Sequence, residues 1–253
     1  MTTATTASTI QHKLELLDQT VVVIGGSSGI GLETARRAHA EGARVILTGR
    51  DHARLKNAAS EIEALSTSAF DVTDPASLER FFHDLPAPID HVMVTAGAPH
   101  YGRLLDMDIE EMRSGLSDHS ILMIQVARNA AHKVRPGGAL IFMGGTGGRR
   151  PAVGLGIVPA VTVALPALTA TLALELAPIR VNLIAAGFVD TPLSASLLGD
   201  ELEKRRTQLR TTLPIRRVVE PEDVAALAVH IMSNTALTGA TYDIDGGQQF
   251  VDA

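Results

Sequence analysis

Short apolar runs alternate with amphipathic stretches along most of the chain. Seven runs rich in β-branched residues have continuous apolar positions, which is typical of parallel strands that are buried on both faces. These strands are predicted at Thr20–Gly25, Arg44–Gly49, Ser66–Val72, Asp90–Gly97, Ala139–Gly145, Ile179–Gly187 and Ala240–Gly247. Amphipathic helices are predicted between them at Leu32–Glu41, His52–Ala64, Pro75–Asp84, Ile109–Val134 and Pro221–Ser233. This alternation predicts an α/β fold: one doubly wound parallel sheet of about seven strands with helices on both faces.

The pattern predicts one domain over residues 14–253, because no internal repeat or linker divides that part of the chain. Residues 1–13 are predicted to be a flexible N-terminus. The segment 1–10 is polar and uncharged and lacks the basic and apolar regions of a signal peptide. A cytoplasmic location is therefore expected.

Composition narrows the classes of function. Apolar residues make up 45% of the 253 residues and the formal net charge is −6, which argues against nucleic acid or an anionic membrane as a partner. The chain has no cysteine, which excludes disulfides, thiolate metal ligands and a cysteine nucleophile. Its nine histidines show no metal-ligand spacing such as HExxH, so no metal site is predicted.

One stretch, Val158–Leu174, is almost free of charge and raises the question of a membrane span. A spanning helix needs about 20 apolar residues. This stretch is shorter and contains three threonines together with Pro159 and Pro166. We predict a buried core helix and no contact with a membrane.

The first predicted strand runs into the sequence "VVVIGGSSGIG", which places Gly25, Gly29 and Gly31 between a strand and a helix. Glycines at this spacing allow a tight turn and a close approach to a ligand, and the helix N-terminus offers free N–H groups to a pyrophosphate. We therefore predict a dinucleotide-binding loop. Its predicted cofactor contacts are Gly25, Ser27, Ser28, Gly29, Ile30 and Gly31.

Six segments in this order resemble the short-chain dehydrogenase/reductase family, and the resemblance covers nearly the whole chain. They are "GGSSGIG" at 25–31, "FDVTD" at 70–74, "VTAGA" at 94–98, "LALELAPIRVN" at 172–182, "AGFVDTP" at 186–192 and "DIDGG" at 243–247. The resemblance implies a Rossmann-type fold that binds NAD or NADP and acts on a small-molecule substrate. It implies that Asp71 and Val72 lie at the adenine and that Ala96 and Gly97 lie near a ribose. It also implies that the turn which holds the nicotinamide carboxamide includes Gly187, Val189 and Thr191. Two segments depart from the family pattern, at Val94–Gly97 and at Ala186.

The end of the second strand bears on the choice between NADP and NAD. An acidic residue there binds the ribose 2′-OH of NAD, whereas a nearby arginine accommodates the 2′-phosphate of NADP. By alignment with the family the acidic position is Gly49, and Arg50 follows it. Asp51 is one residue further on and is expected to point away. NADP is therefore preferred over NAD.

The family's catalytic residues are absent from their aligned positions. The resemblance implies a tyrosine at Val158, a lysine at Thr162, a serine at Gly145 and an asparagine at His119. In the family the lysine lowers the pKa of the tyrosine, which exchanges a proton with the substrate. General acid–base help of this kind is worth about 10²–10⁴-fold in rate, and its usual source is missing here.

No shift of register restores the pair, because neither Tyr101 nor Tyr242 has a lysine four residues later. Other side chains are expected near the site. His119, Thr146, His100 and Tyr101 can line it, and Arg149 with Arg150 either attracts an anionic substrate or lies in a solvated loop.

Three functions stay open. The first is an NADP(H)-dependent oxidoreductase whose substrate needs no Tyr–Lys pair, such as an imine, an iminium or a quinone-like compound. The second is an inert NADP-binding or regulatory protein. The third is a carbonyl reductase in which His119 or Tyr101 supplies the proton.

The stretch Val161–Leu174 also predicts assembly. A helix that is apolar on all sides must be covered on all sides, and one sheet covers a single face. In the resembling family this helix pairs with its copy about a two-fold axis, so we expect a homodimer or homotetramer. Pro166 either bends the helix or lies in the first turn of a helix that begins late.

Overall fold

The computed structural model describes residues 13–251, so the predicted flexible segment lies outside the described residues except for Lys13. Seven strands form one parallel sheet in the order β3-β2-β1-β4-β5-β6-β7. The strands are β1 Thr20–Ile24, β2 Arg44–Gly49, β3 Ser66–Ala69, β4 Ile89–Val94, β5 Val134–Gly145, β6 Arg180–Ala186 and β7 Thr241–Ile244. The helices are α1 Gly29–Ala40, α2 His52–Glu61, α3 Pro75–Asp84, α4 Ile109–Ala130, α5 Val158–Glu175, α6 Pro192–Leu198, α7 Leu202–Thr212 and α8 Pro221–Ser233. The predicted doubly wound sheet is confirmed.

Helices cover both faces of the sheet, which explains the continuous apolar runs. In β1, Val22 and Ile24 belong to the core under α3, α4 and α5, whereas Val21 and Val23 belong to the core under α1, α2 and α8. Full burial of one such side chain stabilises the fold by roughly 1.5–3 kcal/mol relative to exposure. A polar residue at any of these positions would therefore weaken one of the two cores.

Several predicted ends were wrong by a few residues, and long-range pairing or local backbone geometry explains the differences. The helix α4 ends at Ala130 instead of Val134, because Val134 pairs with Ile89 in the sheet. The helix α2 ends at Glu61 instead of Ala64, and Glu63 has φ +50°, a left-handed conformation that an α-helix does not continue through. The helix α1 starts at Gly29, so the glycine-rich loop itself supplies the first turn.

The apolar helix α5 is continuous from Val158 to Glu175, with Pro159 in its first turn and Pro166 inside it. The alternative in which the helix begins at Pro166 was therefore wrong. Within the described residues, this is the one helix whose length and composition would let it cross a membrane. One face packs on the sheet, through Val161, Leu165, Thr169, Leu172 and Ala173.

Candidate functional site

The turn after β1 touches the end of β4, and this contact requires glycine at position 25. Gly25 has φ +94°, and a Cβ atom there would lie 2.7 Å from Thr95 Oγ1 and 2.8 Å from the backbone nitrogen of Ala96. The Thr95 hydroxyl lies within hydrogen-bond distance of the carbonyl oxygens of Ile24 and Gly25, at 3.2 and 3.1 Å. The loop is thereby held at the point where the strand order reverses, which is where ligands of such sheets bind.

The helix α1 begins directly against this turn. A Cβ atom at Gly31 would lie 2.2 Å from the carbonyl oxygen of Gly25, so only glycine lets the helix pack so closely. Ser28 is the N-cap residue and makes no side-chain cap hydrogen bond within the described part of the chain. The first-turn N–H groups around Ile30 are therefore available to a ligand, and with the positive end of the helix dipole they favour a pyrophosphate.

The turn after β6 closes the other side of this helix end. A Cβ atom at Gly29 would lie 3.5 Å from Thr191 Cβ, so the two segments are in van der Waals distance. Thr191 caps α6 and forms a capping box with Ser194. Gly187 donates to the carbonyl oxygen of Ile244, and a side chain at this position would meet Asp245. The buried Val189 pairs with the strand-like segment at Val219.

At the end of β2, Gly49 is followed by Arg50 and Asp51. Asp51 caps α2, and its carboxylate accepts hydrogen bonds from the backbone N–H and the guanidinium of Arg54, which lower the pKa of Asp51. Arg54 thus engages both carboxylate oxygens of Asp51 at the start of α2. Arg50 is exposed, and Gly49 packs against Ser27, where a Cβ atom would lie 3.0 Å from Ser27 Oγ.

Asp71, next to the buried Val72, lies close to the same end of the sheet. The backbone N–H and hydroxyl of Thr73 lower the pKa of Asp71 most, and the positive charge of Arg50 lowers it further. Arg50, which follows β2, is thus near enough to Asp71 to act on it electrostatically. This arrangement fits the adenine-ribose end of a dinucleotide.

Three of the four aligned catalytic positions, Gly145, Val158 and Thr162, lie near one another. A Cβ atom at Gly145 would lie 3.3 Å from Thr162 Cγ2, and one at Gly147 would lie 3.4 Å from Val158 Cγ1. The Thr162 hydroxyl donates back to its own helix, with the carbonyl oxygens of Val158 and Pro159 at 3.0 and 3.2 Å. Neither helix position therefore offers an acidic proton to a substrate.

Small side chains leave space at this point. A cavity of about 200 Å³ lies beside Gly145 and Thr162, and its wall continues to Pro166 and Thr241. Thr146 is buried next to it, and its backbone N–H donates to the carbonyl oxygen of Ala186.

Two histidines follow the end of β4. A Cβ atom at Gly97, which has φ +119°, would lie 3.4 Å from His119 Nε2, so the imidazole lies beside the predicted ribose contact at Ala96 and Gly97. Burial lowers the pKa of His119, against a smaller opposing effect of the Asp118 carboxylate. His100 lies between two carboxylates, with its Nε2 3.6 Å from Asp118 Oδ2.

Two other residues differ from what the sequence indicated. Arg149 forms an ion pair with Asp243 and a hydrogen bond with Gln249, so the C-terminal segment occupies its guanidinium. Arg206 was not singled out by the sequence, yet it binds both carboxylate oxygens of Asp190 at 2.7 Å and so holds α7 against the turn after β6. No local signal could have found this pair, because its members are 16 residues apart on different elements.

Comparison with known proteins agrees with this geometry. A family model described as enoyl-(acyl carrier protein) reductase matches residues 24–249. The chain belongs to the short-chain dehydrogenase/reductase family. It is 29% identical to the short-chain dehydrogenase/reductase ATR9 of Stachybotrys chlorohalonatus, over 90% of this chain and 96% of that protein. It is also 29% identical to carbonyl reductase family member 4 of Xenopus tropicalis, over 90% and 96% of the two chains.

A solved structure supports the same assignment. A small-chain dehydrogenase in complex with NADPH superposes with a TM-score of 0.79 at 26% identity, over 92% of this chain and 99% of that one. The chain is thus an oxidoreductase of the short-chain dehydrogenase/reductase type. This family uses nicotinamide cofactors and acts on small molecules.

Proposed function

We propose that the protein is an NADP(H)-dependent oxidoreductase that acts on a small molecule without a Tyr–Lys acid–base pair. One combination carries the proposal: the glycine-rich turn and the start of α1 suit a dinucleotide, while the aligned tyrosine and lysine positions hold no acid. Gly25, Gly31 and the open N-terminus of α1 fit a pyrophosphate, whereas Val158 and Thr162 offer no titratable group.

The preference for NADP rests on Arg50. Its guanidinium lies at the end of β2, and Gly49 puts no carboxylate there to repel a 2′-phosphate. The NADPH complex of the small-chain dehydrogenase supports the same choice.

The substrate class follows from the missing acid. A bound nicotinamide supplies hydride transfer, and the chain's own residues position the two reactants and exclude water. An imine, an iminium or a quinone-like compound accepts hydride without a strong proton donor from the protein.

A carbonyl reductase that relies on His119 or Tyr101 is less well supported. Burial lowers the pKa of His119, so the protonated imidazole that would act as an acid is scarce at neutral pH. Tyr101 is 49% exposed, and partial burial of its ring raises the pKa of the phenol against a smaller opposing effect of Arg205, so without a neighbouring lysine it is a poor proton donor.

An inert NADP-binding or regulatory protein is the main competitor, and the back-bonded Thr162 hydroxyl favours it. Binding and turnover separate the two functions. We expect NADPH fluorescence to report binding, and NADPH absorbance to fall with at least one imine or quinone in a panel that also contains ketones. Binding without consumption of NADPH on any panel member would instead identify the inert protein.

We further propose that the protein is a homodimer or homotetramer that pairs through α5. Val163 is 62% exposed and Leu174 is 82% exposed on the face of α5 that is turned away from the sheet. A groove of about 550 Å³ runs between α4 and α5 and includes Leu168 and Leu172. A second copy of the helix pair would cover this apolar surface.

A further inference from the structure

An ion pair fastens helix α7 to the turn that follows β6. Arg206 lies on α7, and its Nε and Nη2 atoms each lie 2.7 Å from one carboxylate oxygen of Asp190. Two parallel hydrogen bonds of this kind fix the orientation of both groups as well as their distance. The side chain of Asp190 is only 14% exposed, so water competes for this carboxylate less than it does at a fully exposed ion pair.

Asp190 is also held through its backbone, and the residue that follows it reaches the predicted pyrophosphate site. The Asp190 N–H donates to the carbonyl oxygen of Val219 at 3.0 Å. Thr191 caps α6 and lies against the first residue of α1, where a Cβ atom at Gly29 would lie 3.5 Å from Thr191 Cβ. Arg206 therefore acts, through one residue, on the segment that touches the start of α1.

Little apolar packing holds the segment that begins at this turn. Neither α6, over Pro192–Leu198, nor the short helical turn over Gly199–Glu201 contains a buried residue. The C-terminal half of α7 is anchored instead, because Leu209 and Leu213 are fully buried in a small core. Segments with few buried apolar contacts open locally at a low free energy. Arg206 therefore links the anchored helix to the turn at which the exposed segment begins.

Removal of the Arg206 charge would leave two carboxylates side by side. Val189 and Val219 pair as neighbours in a parallel sheet do, which places Asp190 beside Glu220. Partial burial and then the charge of Asp190 raise the pKa of Glu220, whereas the charge of Arg206 lowers it. Like charges repel, so without the guanidinium the turn is pushed away from the segment at Val219.

The turn after β6 lies on the side of the pyrophosphate site that is opposite to Arg50. In the sheet, β2 and β3 lie on one side of β1, whereas β4, β5 and β6 lie on the other. A dinucleotide with its 2′-phosphate at Arg50 and its pyrophosphate at the start of α1 extends its second nucleoside towards the ends of β4, β5 and β6. The turn is thus on the path of the nicotinamide half and not of the adenosine half.

We propose that Arg206 is a positioning residue for the cofactor: through Asp190 it holds the turn at Thr191 in place for the nicotinamide half of NADPH. This inference rests on the proposed function, because it concerns the binding of the same cofactor. Arg206 acts through Asp190 and takes no part in hydride transfer.

The test compares NADPH with adenosine 2′,5′-bisphosphate, each titrated calorimetrically into the full-length wild type and Arg206→Gln. The bisphosphate keeps the adenosine and the 2′-phosphate but lacks the nicotinamide nucleoside. We expect Arg206→Gln to lose about tenfold in NADPH affinity, because affinity falls with the fraction of molecules in which the turn is in place. The affinity for the bisphosphate should change less than about twofold, because a ligand that does not reach the turn is insensitive to its position.

Two further variants assign the effect to the ion pair. Arg210→Gln is the matched control, because Arg210 lies on the same helix and pairs with Glu203 of that helix, and its NADPH affinity should match the wild type. The double variant Asp190→Asn, Arg206→Gln should bind NADPH roughly threefold more tightly than Arg206→Gln, because a neutral amide does not repel the carboxylate of Glu220.

Hydrogen exchange in the cofactor-free protein tests the positioning itself. The amides of α6 should exchange about tenfold faster in Arg206→Gln than in the wild type, and at the wild-type rate in Arg210→Gln. The C-terminal half of α7 should keep its protection in both variants, because Leu209 and Leu213 stay buried.

Equal losses of affinity for NADPH and the bisphosphate in Arg206→Gln, or an unchanged NADPH affinity, would each overturn the proposal. The same holds for α6 exchange at the wild-type rate, and for a double variant that binds NADPH no more tightly than Arg206→Gln. A wild-type protein that does not bind NADPH overturns the proposed function instead, and hydrogen exchange then still decides whether Arg206 holds the turn.

Discussion

Arg50 is the residue on which the assignment of NADP depends, and Arg50→Ala is the perturbation that tests it. A charge-assisted hydrogen bond contributes about 1.5–3 kcal/mol, or roughly 10- to 100-fold in affinity. Because Arg50 is exposed, water screens its charge, and we expect the lower end of this range, about a tenfold loss of NADPH affinity. NADH lacks the 2′-phosphate, so its affinity should change less than about twofold.

The structure indicates that this substitution acts locally. Arg50 makes a minor contribution to lowering the pKa of Asp71, whereas the two hydrogen bonds from Thr73 contribute most and remain in place. The adenine end of the site should therefore keep its conformation. Arg54→Ala is the matched control, because Arg54 is also an exposed cation but pairs with Asp51 at 2.9 Å.

The assay is a titration of NADPH and NADH, followed by cofactor fluorescence, in the wild type and both variants at 0.1 M and 1 M salt. The Debye length falls from about 10 Å to about 3 Å between these concentrations. The preference for NADPH in the wild type should therefore shrink at high salt. Equal affinities for the two cofactors in the wild type, or an unchanged NADPH affinity in Arg50→Ala, would refute the assignment.

Three further predictions concern stability, catalysis and assembly. His91 is 1% exposed, and burial lowers its pKa from 6.5 to about 3. Since the native state then binds fewer protons than the unfolded state, the free energy of unfolding should fall as the pH drops from 6.5 to 3, by at most about 5 kcal/mol. Denaturant titrations across this pH range should show a weaker pH dependence of the free energy of unfolding in His91→Gln. An identical pH dependence in that variant would contradict the prediction. The triple variant Gly145→Ser, Val158→Tyr, Thr162→Lys should gain NADPH-dependent ketone reduction on the order of 10²-fold above background. If this variant folds and binds NADPH but reduces no ketone, the alignment of these positions with the family's catalytic residues is wrong. Light scattering should find at least two chains per particle in the wild type and a smaller particle for Leu174→Glu, whereas a monodisperse wild-type monomer at micromolar concentration would disprove the assembly.

Features that depend on neighbouring residues could be predicted from the sequence. The four residues Val21–Ile24 are continuously apolar, and the structure buries them in both cores, as a parallel strand requires. The predicted glycine-rich turn is confirmed by the close contacts at Gly25 and Gly31, because strand, turn and helix follow one another within about a dozen residues. The register of residues 172–182 likewise predicts that Val158 and Thr162 occupy the catalytic positions, and this stays a prediction.

Features that depend on residues far apart in the chain were decided by the tertiary structure alone. The amphipathic sequence pattern predicted that α4 extends to Val134, but pairing of that residue with Ile89 places it in the sheet. Arg149 was open to two interpretations until the fold brought Asp243 to it. The same holds for α7, where the sequence shows two adjacent arginines. Folding places Arg206 on Asp190, whereas the adjacent Arg205 bonds to Gln208 of its own helix, because ion pairing depends on which distant elements meet and not on the neighbours along the helix.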